Sequence, residues 1–330
     1  MADAVPAPNS GRLRNATPKN HHYVPRFYLA QFASIQPGEN KPGLWVFERG
    51  QSSPKRVPPV NVARIHQYYA YPSDGGHDTS PEIAFGEVES LAARIFERFN
   101  RGEYGLTGDE KYAFSYFVAL MLVRIPADRV TVEGGFAPKV DQFQARFPER
   151  YQSQMAEFAE DCGTSDDKSL KQKLIASYSL VEIMRGIPKT ASLLRAHNWF
   201  IHKTASRHGF ITSDRPALYH PRNRENPVGY ISMPLSPTLH FISRPKKDVL
   251  RRLKSTHRPQ TEGEVIAGLE GEEPMISVSG AERNQIKFAN QMIIDHAFKY
   301  VFSASIDPSL AIAVSRGLRL KGLSNLGTAR

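Results

Sequence analysis

The sequence predicts an α+β fold: a mostly helical middle with a small mixed or antiparallel sheet built from N-terminal and C-terminal strands. Three observations predict it. Apolar residues recur at helical spacing over much of the stretch from 81 to 195. Runs rich in aromatic and β-branched residues lie on either side, at 43–48 and in several places between 198 and 303. The chain contains no internal repeat and no low-complexity tract that would call for another architecture.

The elements follow in order. Residues 1–19, with Pro6, Pro8, Arg12 and Arg14, have the composition of a disordered tail and lack the apolar core of a secretory signal. Residues 21–33 read as a short extended lead-in and then a helix, with Pro25 at its first turn and Leu29 and Phe32 on its apolar face. Residues 43–48 (GLWVFE) read as a strand, the proline-rich stretch 50–59 as a connection and 72–81 as a loop. Pro81 opens a helix that Gly102 closes. Thr107-x-x-Glu110 is a capping box for the next helix, about 108–124, which is apolar almost all round and therefore central; Pro126 stops it.

Residues 131–195 read as helical and more polar, with a loop at 162–168. Strands follow at 198–203, 210–212, 231–237 and 239–242, with a break at Ser213-Asp214-Arg215-Pro216. An amphipathic helix at 281–297 and a strand at 300–303 close the pattern. The whole reads as one domain over 20–305, with residues 306–330 as a flexible C-terminal extension.

Composition narrows the function classes. The 330 residues carry 43 Lys and Arg against 33 Asp and Glu, a net charge of +10 that favours anionic partners. One cysteine, Cys162, excludes an intramolecular disulfide framework and any multi-cysteine metal site, and points to a cytoplasmic, reducing location. No apolar run reaches the roughly 18–20 residues of a membrane span. The P-loop, the dinucleotide fingerprint, H-E-x-x-H and G-x-S-x-G are all missing from the sequence.

Four polar clusters remain. His21-His22-Tyr23-Val24-Pro25-Arg26 gathers two imidazoles and a guanidinium, suited to proton transfer, metal ligation or anion contact; the alternative is a segment pinned by hydrogen bonds. On a strand, His21 and His22 would point to opposite faces. Its faint echo of a His-Asn-His nuclease would need Asn61 and His66 as later members, at long spacing and with no evident ββα hairpin. Asp214 after Ser213, at a strand end, reads either as ligand or base or as a turn cap. Arg124 at a helix end reads either as an anion holder or as a salt-bridge partner of Glu89. Residues 244–258 hold seven Lys or Arg against one acid and read either as a solvated face or as a phosphate-contact surface.

Taken in order, these clusters resemble the DUF4238 family, bacterial and phage-related proteins of unassigned function, over roughly residues 20–305. The resemblance rests on His21, His22, Val24, Pro25, Tyr28, Leu29 and Phe32, then Leu44-Trp45-Val46-Phe47 and Glu89. It continues through Phe117 to Pro126, Phe210 to Pro216, Pro234-Leu235-Ser236-Pro237, and Asn290 with Tyr300-Val301. It leaves Asn61 and His66 outside its firm positions. It implies that His21, His22, Arg26, Arg124, Ser213 and Asp214 are candidates for one site. The basic tail and the 244–258 segment depart from the family pattern.

The leading expectation is a hydrolase, nuclease or phosphodiesterase-like, acting on nucleic acid or another phosphorylated substrate in phage–host conflict. His21 or His22 and Asp214 would be the catalytic groups, and Arg26, Arg124 and Ser213 would bind substrate, with room for a divalent metal. Nucleic acid would approach through the basic segments 1–70 and 244–258. The alternative is a non-catalytic nucleic-acid- or ligand-binding protein whose polar motifs are structural.

Overall fold

The computed structural model describes residues 20–73, 76–205, 209–221, 229–246 and 273–316. The N-terminal part runs β1 (Asn20–His22), α1 (Arg26–Ala30), β2 (Leu44–Glu48), β3 (Lys55–Val57), a 3-10 turn (Pro59–Asn61), β4 (Arg64–His66), β5 (Tyr71–Ser73) and β6 (Gly76–Asp78). The helical middle is α2 (Ser80–Asn100), α3 (Gly108–Val123), α4 (Pro126–Arg146), α5 (Pro148–Cys162) and α6 (Asp167–Arg195). Strands β7 (His197–Lys203), β8 (Thr212–Ser213), β9 (Leu218–His220), β10 (Tyr230–Ser236), β11 (Leu239–Pro245) and β12 (Ile276–Gly280) follow. The described chain ends with α7 (Arg283–His296), β13 (Tyr300–Ser303) and α8 (Pro308–Arg316).

The α+β expectation holds, and the strands sort into more than one sheet. A four-stranded antiparallel sheet, order β3-β2-β13-β8, joins the N-terminal and C-terminal strands as the sequence predicts. A five-stranded sheet, order β12-β7-β11-β10-β9, uses C-terminal strands alone and is mixed, because β12 runs parallel to β7. Two small ribbons, β1-β4 and β5-β6, complete the set among the described residues.

Helix α3 sits at the centre for the reason its sequence gives. Its capping box forms: the Thr107 Oγ1 accepts from the Glu110 N–H at 3.3 Å, and the Glu110 Oε2 accepts from the Thr107 N–H at 2.8 Å. Phe114, Phe117, Val118, Leu120 and Met121 are all buried. The Phe114 ring meets Trp199 of β7 at 5.4 Å and Phe241 of β11 at 5.2 Å, so one face of the five-stranded sheet lies on α3.

The four-stranded sheet is buried on both faces by period-two alternation. Val46 and Phe302 point to the main core, whereas Phe47 and Val301 join Ile293, Ile294, Leu310 and Val314 in a second cluster under α7 and α8. Tyr28 of α1 ties the sheets together: its buried hydroxyl donates to the Pro234 carbonyl of β10 and bonds the Thr212 hydroxyl of β8, both at 2.7 Å.

Three expectations need correction. Residues 306–316 are not a flexible extension: α8 forms there, with Leu310, Ala313 and Val314 buried; the rest of that segment lies outside the described residues, as does the 1–19 tail. The polar helical stretch breaks at Phe147-Pro148, and Pro126 both ends α3 and opens α4 as its first residue. The strand read at 210–212 is β8, Thr212–Ser213, so Ser213 belongs to the ladder and not to the break after it. No helix among the described residues is long and apolar enough to cross a membrane.

Candidate functional site

Pairing of β1 with β4 sets His21 opposite Ile65 and His22 opposite Arg64, and the two imidazoles leave the strand on opposite faces. His21 is buried. Its Nδ1 accepts from the Tyr69 backbone N–H at 2.9 Å, and its ring is parallel to the Tyr69 ring at 5.9 Å. The same Nδ1 is 4.0 Å from Glu82 Oε2. His22 is half-buried, with Nε2 3.2 Å from the Val60 carbonyl. Burial lowers its pKa, and the fields of Arg64 and Arg26 act the same way.

Arg124 is 1% exposed at the end of α3. Its Nη1 donates to Glu89 Oε1 at 2.5 Å, its Nη2 to the His22 carbonyl and its Nε to the Tyr69 hydroxyl at 3.1 Å. Tyr69 donates back to the Arg124 carbonyl at 3.0 Å, and the guanidinium lies 5.2 Å from the centre of the Tyr69 ring and 5.5 Å from that of Phe85. Burial works against the charge, but Tyr69 and Glu89 outweigh it and hold the guanidinium protonated. The salt-bridge reading of Arg124 and Glu89 is therefore the one realised, and it ties α3 to α2 and to the β1 backbone.

Glu82 lies one helical heptad before Glu89 on α2. Burial pushes its carboxyl up to about 7, against the opposing field of Arg124 and with help from Glu89. This residue and Tyr69 were not among the sequence candidates. The seven-residue spacing of Glu82 and Glu89 was a usable signal, because it places both on one helix face.

Ser213 and Asp214 lie elsewhere, at the junction of β8 and β13. The Ser213 hydroxyl donates to the Arg215 carbonyl at 2.9 Å and accepts from the Arg215 N–H at 3.1 Å, a local turn. Asp214 is 1% exposed. Its Oδ1 accepts from the Phe298 N–H at 2.8 Å, and its Oδ2 from those of Lys299 and Tyr300 at 2.7 and 2.9 Å. Burial raises its pKa in spite of these three bonds. The six candidates thus divide: His21, His22 and Arg124 share one network with Arg26 exposed beside it, and Ser213 and Asp214 form a second. In both networks backbone groups take up key polar atoms: His21 Nδ1, Arg124 Nη2 and both Asp214 carboxylate oxygens each bond the main chain.

A cavity of about 650 Å³ opens beside these networks. Residues of β2, β3, the 61–65 segment and 298–302 line it, among them Lys55, Arg64, Lys299 and Glu48, with Tyr23 and Tyr300 supplying aromatic surface. Each motif reaches it by one step. Tyr23 follows His22, Pro126 follows Arg124 by two residues, and Asp214 holds the 298–300 turn that forms one wall. Tyr23 N–H donates to the Ala63 carbonyl at 2.9 Å. Ala63 itself is left-handed, φ 52°, a conformation uncommon outside glycine and often found where a chain is shaped for a site.

Lys299 Nζ lies 3.2 Å from Glu48 Oε1 and 5.0 Å from the centre of the Tyr300 ring. Among the described residues, Lys55 and Arg64 have no ion-pair partner, and both are exposed to the cavity mouth. Asn61 also lines the cavity, whereas His66 is exposed on β4. Among the described residues no group of three or more His, Cys, Asp or Glu is placed to hold a metal ion. Of the basic segment 244–258, only Arg244, Pro245 and Lys246 are among the described residues; the others lie outside them, as does most of the basic tail.

Residues 20–307 match the family described as a protein of unknown function, DUF4238. Comparison with curated proteins and with solved structures gives no match.

Proposed function

We propose, for a chain that belongs to the DUF4238 family, that it is a binding protein for a phosphorylated ligand of nucleotide size, with its polar motifs as scaffold. The observation that carries this reading is the cavity lined by Lys55, Arg64 and Lys299 against the single carboxylate of Glu48. Glu48 is engaged with Lys299, which leaves Lys55 and Arg64 for an anion. A guanidinium can grip a phosphate through two parallel N–H bonds, and a lysine adds a point charge. Tyr23 and Tyr300 offer ring surface, which takes a base with little regard to its identity. The volume falls within the range of about 300–1,000 Å³ common for small-ligand pockets.

Calorimetric titration with a nucleoside monophosphate and with its unphosphorylated nucleoside tests the binding reading. The nucleotide is expected to bind and the nucleoside to bind at least about tenfold more weakly, about 1.4 kcal/mol. Arg64→Glu is expected to remove the difference while leaving the melting temperature within a few degrees. Equal binding of the two ligands, or unchanged nucleotide binding by Arg64→Glu, overturns it.

A further inference from the structure

The five-stranded sheet turns a second face away from α3, and that face is unusual. It presents His202 of β7, His240 and Arg244 of β11, Ser232 of β10 and His220 of β9. The ladder accounts for the gathering: His240 pairs with His202, and Tyr230 pairs with His220, so alternate residues of adjacent strands share the face. Helix α7 covers part of it through Ala289, with Phe288 at the rim. Between sheet and helix lies a largely apolar pocket of about 340 Å³ that shares no lining residue with the cationic cavity.

The rings are ordered. His220 stacks on Tyr230 at 4.2 Å and 10°, with Nε2 2.7 Å from the Ser232 hydroxyl. His240 stacks on Phe210 at 4.9 Å. His240 is 5% exposed, lines the pocket, and has no hydrogen-bond partner among the described residues. Its ring nitrogens are not sealed off from the pocket, so a ligand there can supply the partner. Burial holds all three imidazoles below their ordinary range, His240 at about 3 and His220 at about 4, so they are neutral rings with one donor and one acceptor each. They are not placed as a metal centre: among the described residues no group of three or more His, Cys, Asp or Glu could hold an ion.

Arg244 lies four residue steps beyond His240 along one strand, about 13 Å by strand rise. The exposed Arg244 guanidinium folds over the Phe200 ring at 5.5 Å and so caps one end of the pocket with a cation. A single aromatic ring with polar groups at opposite ends, met by a reaching arginine, fits that span. We propose that this pocket is a second ligand site for a small aromatic carboxylate, with the ring among the imidazole and phenyl rings, a ring substituent on His240 and the carboxylate on Arg244.

Titration of the full chain with 4-hydroxybenzoate, benzoate and cyclohexanecarboxylate, read by calorimetry and by the histidine side-chain NMR signals, tests this. 4-Hydroxybenzoate is expected to bind saturably, at least about tenfold tighter than cyclohexanecarboxylate, and to move the His240 resonances. His240→Phe, which keeps a ring on Phe210, and Arg244→Gln at the exposed rim are each expected to weaken it about tenfold. If His240→Phe does not fold, Arg244→Gln alone decides. Absence of saturable binding at about 10 mM, or unchanged affinity in Arg244→Gln, overturns the proposal.

Discussion

A carboxylate that accepts three backbone N–H bonds is already committed, and Asp214 is in that position. Removing it leaves three backbone donors of the 298–300 turn without their acceptor. Asp214→Ala is therefore expected to lower the unfolding free energy by about 2–4 kcal/mol, measured by urea denaturation, and to act on ligand binding through the 298–300 wall. Glu82 behaves differently, because it gives up stability by ionising. Its carboxyl titrates near 4.5 in the unfolded chain and at about 7 in the fold. The fold thus holds the proton more tightly; its contribution is full below about 4.5, falls as pH rises through the interval and is lost above about 7. The gap sets an upper bound of about 3 kcal/mol. Glu82→Gln is expected to flatten the melting temperature between pH 4.5 and 7 relative to wild type, a difference readable by calorimetry; identical pH profiles would contradict it. Some of this was legible in the sequence. Arg124 at the end of an almost wholly apolar helix needed a carboxylate, and of Glu87 and Glu89 in the preceding helix it is Glu89 that pairs with it. The partners of Asp214 were not legible, because they depend on a β8–β13 pairing between segments more than eighty residues apart.

At the scale of elements, legibility follows burial. Helix α3 could be read almost to the residue, since its capping box, apolar run and terminal proline agree. Strand β12 was not read: Ile276-Ser277-Val278-Ser279 does alternate, but the run is only four residues long and four of the five strand residues are exposed, so no core face singles it out. The ribbons β1-β4 and β5-β6 are three residues per strand, too short for a period to show. Helix α8 was missed for another reason. Its apolar positions Leu310, Ala313 and Val314 do carry helical spacing, but they follow the last strand of the family pattern. They pack with Phe47 and Val301 against the four-stranded sheet. Leu310→Ala is accordingly expected to cost about 2–4 kcal/mol, and truncation before Pro308 to lower the melting temperature further. A full-length melting temperature in the truncated chain would show that α8 adds nothing.

At the scale of the whole molecule, the polar motifs and the pockets divide the labour. His21, Arg124 and Asp214 fix the positions of β1, α2, α3 and the 298–300 turn, and the cationic cavity opens where those pieces meet. The candidates named from sequence thus surround the cavity from beneath, whereas Lys55, Arg64 and Lys299, single cations in short strands or turns, carry no motif that would announce them. The net charge of +10 gains a local meaning there, as a small excess of cations over one carboxylate. Hydrogen exchange with and without a saturating nucleoside monophosphate tests the central claim most directly. The account predicts ligand-dependent protection confined to the amides around 44–57, 61–65 and 298–302, with the sheet face under α7 unchanged. Protection absent from those segments, or found instead on β9–β11, would contradict it.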